Sequence, residues 1–175
     1  MNATTTATTN GTTLGKTTTF TRGRDLVLER IIEAPREKLY EAWTDPELMK
    51  QWFVPKPWSL SRVESDVRAG GASLIVMRSP EGQEFPNKGV YLEVVPGEKL
   101  VFTDAYTKAW EPSAKPFFTG VLTFEDEGGL GSGRTRYTAR VLHWTKEDCE
   151  AHEKMGFHQG WGIATDQMTA LAKTL

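Results

Sequence analysis

The apolar positions change period several times along the chain. Asp25–Ala34, "DLVLERIIEA", is rich in β-branched residues and Leu and predicts a strand. Pro35 then suits the first position of a helix, in which Leu39, Tyr40 and Trp43 fall at helical spacing. "TDP" interrupts the pattern. Asp45 is a good N-cap and Pro46 a good first residue for a second short helix, "PELMKQWF". Its apolar side holds Leu48, Met49, Trp52 and Phe53. "VPKPW" must be extended or turned, because Pro55 and Pro57 each restrict the residue before them.

A long β region follows. Strands are predicted near Ser59–Arg68, Ala72–Arg78, Lys88–Val95, Lys99–Tyr106, Phe117–Glu125 and Arg134–Trp144. The separators "AGG", "SPEGQEFP", "PGE" and "EDEGGLGSG" are turn-like, and "WEPSAKP" predicts a longer loop. Strands joined by short turns imply an antiparallel meander. Thr145–Leu175 predicts one long closing helix with Thr145 as N-cap. At about 100° per residue, Phe157, Trp161, Ala164, Met168, Leu171, Ala172 and Leu175 share a face. Such a helix would run roughly 45 Å. It is the one element large enough to cover the sheet, so the class is α+β: a curved antiparallel sheet of about seven strands around a C-terminal helix.

Residues 1–22 are dominated by Thr and lack the basic start, apolar core and cleavage site of a secretory signal. They predict a flexible tail, with an edge strand near Lys16–Thr21 as the alternative. Residues 23–175 predict a single domain. The formal net charge of −2 gives no electrostatic argument for nucleic acid or an anionic membrane. One Cys precludes an internal disulfide and fits a reducing compartment, hence a cytoplasmic location.

Three segments carry a resemblance: "APREKLYEAWTDPELMKQWFVP", "GVYLEVVPGEKLVFT" and "HEKMGFHQGWGIATDQMTALAKTL". They resemble the START-like (SRPBCC) helix-grip superfamily, and within it the bacterial homologues of the activator of the 90-kDa heat-shock-protein ATPase. The resemblance implies a seven-stranded sheet gripping the last helix, with a cavity between them. Superfamily cavities bind lipids, sterols, polyketides and other apolar molecules, and some members are cyclases or other enzymes. Eukaryotic co-chaperones of this branch carry a second domain that docks on the chaperone. This length leaves no room for one, which weighs against a chaperone partner. A homodimer fits the branch.

The expected function is therefore binding of a small apolar molecule, with no cofactor. Trp52, Phe53, Trp58, Met77, Phe102, Trp110, Phe118 and Trp161 are candidate cavity residues; each could equally pack a plain core. Trp58 and Trp110 sit in Pro-containing loops, where large aromatics suggest a cover. His158 and Thr165 share a strip at the margin of the helix face. His158 could offer a polar tip to the cavity or serve an enzyme as acid–base group, with Asp104, Glu93 or Asp166 as partner. The alternative is a structural, hydrogen-bonded histidine. A third reading is a co-chaperone-like interaction module. Cys149, His152 and His143 lack the paired spacing of a zinc site, and no metal is expected. Glycines 156, 160 and 162 each cost about 1 kcal/mol in a helix interior. Gly156 and Gly160 would admit a close strand or a bend, and Gly162 would leave space beside His158.

Overall fold

The computed structural model describes residues 17–175. Ten strands and four helices alternate along it. β1 (Thr18–Arg22) and β2 (Asp25–Ile32) lead into α1 (Arg36–Thr44) and α2 (Pro46–Met49). β3 (Ser59–Ser65), β4 (Ala72–Arg78), β5 (Glu84–Val95) and β6 (Lys99–Thr103) follow. Then come β7 (Tyr106–Lys108), β8 (Glu111–Pro112), β9 (Phe118–Asp126) and β10 (Thr135–His143). The chain closes with α3 (Lys146–Lys154) and α4 (Phe157–Ala172).

Eight strands form one antiparallel sheet in the order β1-β2-β10-β9-β6-β5-β4-β3, and β7–β8 form a separate two-stranded ribbon. From β3 to β10 the large sheet is a meander apart from the ribbon. β2 lies against β10, while β3 lies at the far edge. The chain must therefore cross the sheet between β2 and β3, and α1 and α2 make that crossing. α4 returns over the same side and packs on α1, α3 and β2. Among the described residues no helix is long and apolar enough to cross a membrane.

Local chemistry sets the boundaries. The Asp45 carboxylate accepts from the backbone N–H of Glu47 (2.8 Å) and Leu48 (3.1 Å), with Pro46 opening α2. The Thr145 hydroxyl accepts from the Asp148 N–H at 3.0 Å and starts α3. α2 is shorter than predicted, because only Pro46–Met49 is helical.

Four expectations change. The sheet has eight strands rather than seven, because Thr18–Arg22 pairs with β2 along its whole length. That is the edge strand given as the alternative near Lys16–Thr21; residues 1–16 of the predicted tail lie outside those described. β5 begins at Glu84, not Lys88. Its first half pairs only with β4, so Pro86 withdraws no N–H from a ladder on the other side. The predicted loop at Trp110–Pro116 contributes Glu111–Pro112 to the ribbon. Finally, the closing helix is two helices. Gly156 stands between them at φ +96°, a left-handed conformation that breaks the rod and favours glycine. α4 then has 16 residues, roughly 24 Å instead of 45 Å.

Candidate functional site

Strand alternation places Leu28, Ala139 and Leu122 on the inner face of β2, β10 and β9, where all three are 0% exposed. They belong to the main core, with Trp43 and Leu39 of α1 and Met168 of α4. Further along the same face the seal opens. Register puts Leu60, Met77 and Phe85 in one cross-strand row of β3, β4 and β5. Val63, Ile75 and Asn87 form the next, and Ser65, Ser73 and Gly89 the third. Ile75 and Met77 pack on the core yet stay only partly buried, as does Phe102 of β6. Phe85 is 40% exposed. The inner face is thus mainly apolar, with Leu60 and Val63 buried at the far edge and the opening at Ile75, Met77 and Phe85 beside them.

Trp43 organises the aromatic side chains between the halves. Its ring lies 4.8 Å from Trp52, 5.7 Å from Phe53, 6.0 Å from Phe102 and 6.5 Å from Trp161. Phe102 in turn meets Phe118 at 6.3 Å. Gly120 stands opposite Phe102, and a Cβ there would fall 2.5 Å from the ring. Glycine is what lets the ring lie across β9. The segment after α2 is held to α4 by one side chain. The Gln167 amide donates to the carbonyls of Trp52 (2.8 Å) and Val54 (2.7 Å), and its oxygen accepts from the Lys56 N–H (3.3 Å).

The structure therefore brings Trp52, Phe53, Phe102, Phe118 and Trp161 together. Met77 lies on the open half, with the Trp58 ring packed at a tilt against Phe85, 5.6 Å between centroids. Trp110 stands apart from them. It is 62% exposed, contacts Tyr106 and covers Gly70. A groove of about 290 Å³ lies elsewhere, bordered by Glu64, Leu74, Lys88 and the ribbon residues Thr107, Lys108 and Glu111. It holds none of the predicted residues. Thr165 is buried, and its hydroxyl donates to the Trp161 carbonyl at 2.7 Å, so its proton is used inside α4.

His158 has a carboxylate partner, but none of the three expected. Asp104 accepts from the Phe117 and Phe118 N–H groups, Glu93 pairs with Lys99, and Asp166 pairs with Arg30. The partner is Glu153 of α3, 2.9 Å from His158 Nε2. The Thr21 hydroxyl of β1 donates to the same Glu153 oxygen at 2.8 Å. The bond from His158 holds the Glu153 carboxyl below its ordinary value, with Thr21 adding to the effect against burial. With Nε2–H donated to a carboxylate, the neutral ring carries its lone pair on Nδ1, which is buried with no partner among the described residues. Chemically this is an oriented base. The close approach of a strand expected at Gly160 is not seen: an added Cβ there, or at Gly162, meets nothing within 4 Å.

His143 and His152 form a second pair, Nε2 to Nδ1, at 2.9 Å. His143 Nδ1 lies 2.9 Å from the Arg24 carbonyl, which can only accept. His143 therefore donates from Nδ1, leaving Nε2 to accept from His152 Nδ1–H. Burial, then the His143 ring, lowers the His152 pKa to about 4. Cys149 is buried with Leu26, Val141 and Phe157, and burial raises its thiol. Among the described residues no group of three His, Cys, Asp or Glu is placed to hold a metal ion.

Five residues of this architecture escaped the sequence reading as site residues: Trp43, Ile75, Phe85, Asn87 and Glu153. Trp43 had a signal, its place on the helical apolar stripe. Phe85 and Asn87 fell in or beside a stretch read as a turn.

The comparisons agree with this architecture. A family model described as "Activator of Hsp90 ATPase homolog 1-like protein" matches residues 33–173. Among solved structures, a protein from Nitrosomonas europaea is 41% identical, with a TM-score of 0.81, over 86% of this chain and 94% of that one. A protein from Rhodobacter sphaeroides is 20% identical with a TM-score of 0.75, over 89% and 97% of the two chains. One from Mycobacterium smegmatis is 23% identical with a TM-score of 0.70, over 85% and 90%. These last two show the fold alone. No curated protein matches. The match over residues 33–173 is most of the chain, and the chain belongs to the Activator of Hsp90 ATPase homolog 1-like family.

Proposed function

We propose that this protein binds a small apolar molecule on the open half of the inner sheet face, between β4–β6 and the aromatic cluster of Trp43, Phe53 and Trp161, in a helix-grip arrangement. One observation carries the reading. Leu28, Ala139 and Leu122 are fully buried on the inner face of β2, β10 and β9, yet Ile75, Met77, Phe85 and Phe102 of the same face keep exposed surface. Apolar area left open costs about 25 cal/mol per Å², and a ligand that covers it recovers that cost. The remaining lining is aromatic and apolar, as small-molecule sites usually are. Nile red fluorescence with and without competing apolar ligands tests the proposal, on the wild type and on Phe85→Glu and Met77→Gln. Uptake should fall in both variants and persist in a Leu130→Glu control at a distant exposed loop. Uptake unchanged by the two inner-face changes, or absent from the wild type, would overturn it.

A second reading, an acid–base enzyme, is favoured by the His158–Glu153 contact alone. It expects slow turnover of a simple ester such as p-nitrophenyl butyrate that His158→Gln abolishes with the fold intact. Equal turnover in wild type and variant would sink it.

A further inference from the structure

Asn87 is the one amide in the three inner rows of the open half. It stands opposite Ile75 in the β4–β5 register, so its side chain shares the face of Ile75 and Met77. It is exposed, with Phe85 two residues before it on the same face. Its Nδ2 donates twice to backbone, to Phe85 O at 3.0 Å and Ile75 O at 3.3 Å. Those two contacts determine the orientation of the amide. Turned over, its oxygen would face two carbonyl oxygens and forfeit both bonds. The Oδ1 atom is therefore turned away from the strands, and no donor among the described residues reaches it.

The surroundings narrow what could satisfy that acceptor. The three inner rows hold Leu60, Met77, Phe85, Val63, Ile75 and the small or polar Ser65, Ser73 and Gly89, with no Lys or Arg. Arg62 pairs with Val76, after a register shift, in the alternate set of positions. A carboxylate or phosphate head would meet an acceptor with no cation to balance it. A neutral donor would be matched.

We infer that Asn87 Oδ1 reads a neutral hydrogen-bond donor on the ligand, so that the site selects apolar molecules carrying a hydroxyl or N–H group over fatty acids and plain hydrocarbons. This rests on the apolar-binding reading above. The Nδ2 bonds hold the acceptor in place before the ligand arrives, so little side-chain entropy is lost on binding.

The test is a cycle with a matched ligand pair, 1-decanol and decyl methyl ether, each displacing Nile red from wild type, Asn87→Leu and Asn87→Ala. One hydrogen bond between neutral groups corresponds to about a 5- to 10-fold change in affinity. The decanol-to-ether affinity ratio should fall by that factor in both variants, whatever each substitution does to apolar uptake as a whole, and decanoate at neutral pH should bind wild type more weakly than decanol. A ratio that is the same in all three proteins overturns the role of Asn87 while leaving apolar binding intact. Displacement by neither ligand in the wild type overturns apolar binding, and the inference with it. Two variants are used because Leu enlarges the apolar surface and Ala does not; a ratio that falls only in the Leu variant counts against Asn87.

Discussion

Acidification should weaken this fold through His152. The residue is 9% exposed. Its ring stacks on Phe118 at 5.4 Å and lies 4.8 Å from Phe117, while its Nδ1–H donates to His143. Protonating it places a charge in that aromatic setting, against a neighbouring ring whose Nδ1 is tied to a carbonyl. Its folded value is about 4 against 6.5 for the free side chain. The unfolded chain therefore takes up a proton first as the pH falls. Stability from this group is complete above pH 6.5, declines between 6.5 and 4, and levels off once both states are protonated. At about 1.4 kcal/mol per unit, the full loss is roughly 3 kcal/mol, a large part of the 5–15 kcal/mol that typically holds a domain together. Urea unfolding at half-unit steps from pH 7.5 to 4 measures it. His152→Phe retains the stacking and His152→Gln retains a donor to His143, and neither titrates here. Carboxylates such as Glu153 contribute their own acid dependence, which both variants share with the wild type. The wild type should show an extra slope of about 1.4 kcal/mol per pH unit between 6.5 and 4. Superimposable pH profiles for all three proteins would refute the reasoning.

Other expectations concern backbone and packing. Gly156→Ala should destabilise by about 1–2 kcal/mol, because alanine resists the left-handed conformation at φ +96°. Gly160→Ala should instead stabilise by about 0.5–1 kcal/mol, since its Cβ meets nothing within 4 Å in a helix interior; denaturant midpoints shifting the same way in both would contradict this. Gly120→Ala should cost about 1–3 kcal/mol by driving a methyl into the Phe102 ring, and Phe102→Leu in the same chain should recover most of it. Gln167→Leu should cost about 1–3 kcal/mol and speed hydrogen exchange at the Lys56 amide, which its oxygen now accepts from; unchanged exchange there would show that the segment is held by something else.

Much of the fold is readable in the residues because local and tertiary preferences coincide. The alternation in β2 and β10, the Asp45–Pro46 start of α2 and the Thr145 cap are short-range signals that packing reinforces. β1 is different. Thr18–Arg22 offers little apolar surface of its own, and its order comes from pairing with β2, a partner that composition cannot reveal. Gly156 is ambiguous in another way, since a glycine inside an apolar helical pattern fits either a tolerated interior residue or a stop. The consequence reaches the chemistry. In one continuous helix Glu153 and His158, five residues apart, would lie about 140° apart around the axis. The break brings them to 2.9 Å, so the carboxylate partner of His158 becomes visible only once the helix is known to be two.

The stretch that escaped the sequence reading most completely, Glu84–Asn87, is also the one on which the proposed site depends, and the two facts have one cause. A strand buried on both sides and paired on both edges must be β-branched, apolar and free of proline. The first half of β5 meets none of those demands. It pairs on one edge only, and its inner face is open, so Glu84, Pro86 and Asn87 are all tolerated. The result reads as a turn. Relief from packing is what lets Phe85 remain exposed and lets Asn87 hold an acceptor over the apolar rows. Filling the site by mutation should therefore make the segment more strand-like. Asn87→Val would raise β propensity and cover apolar surface at once, and it should raise the denaturant midpoint while lowering Nile red uptake. A rise in both stability and uptake would mean that the open half of the sheet is not where the ligand lies.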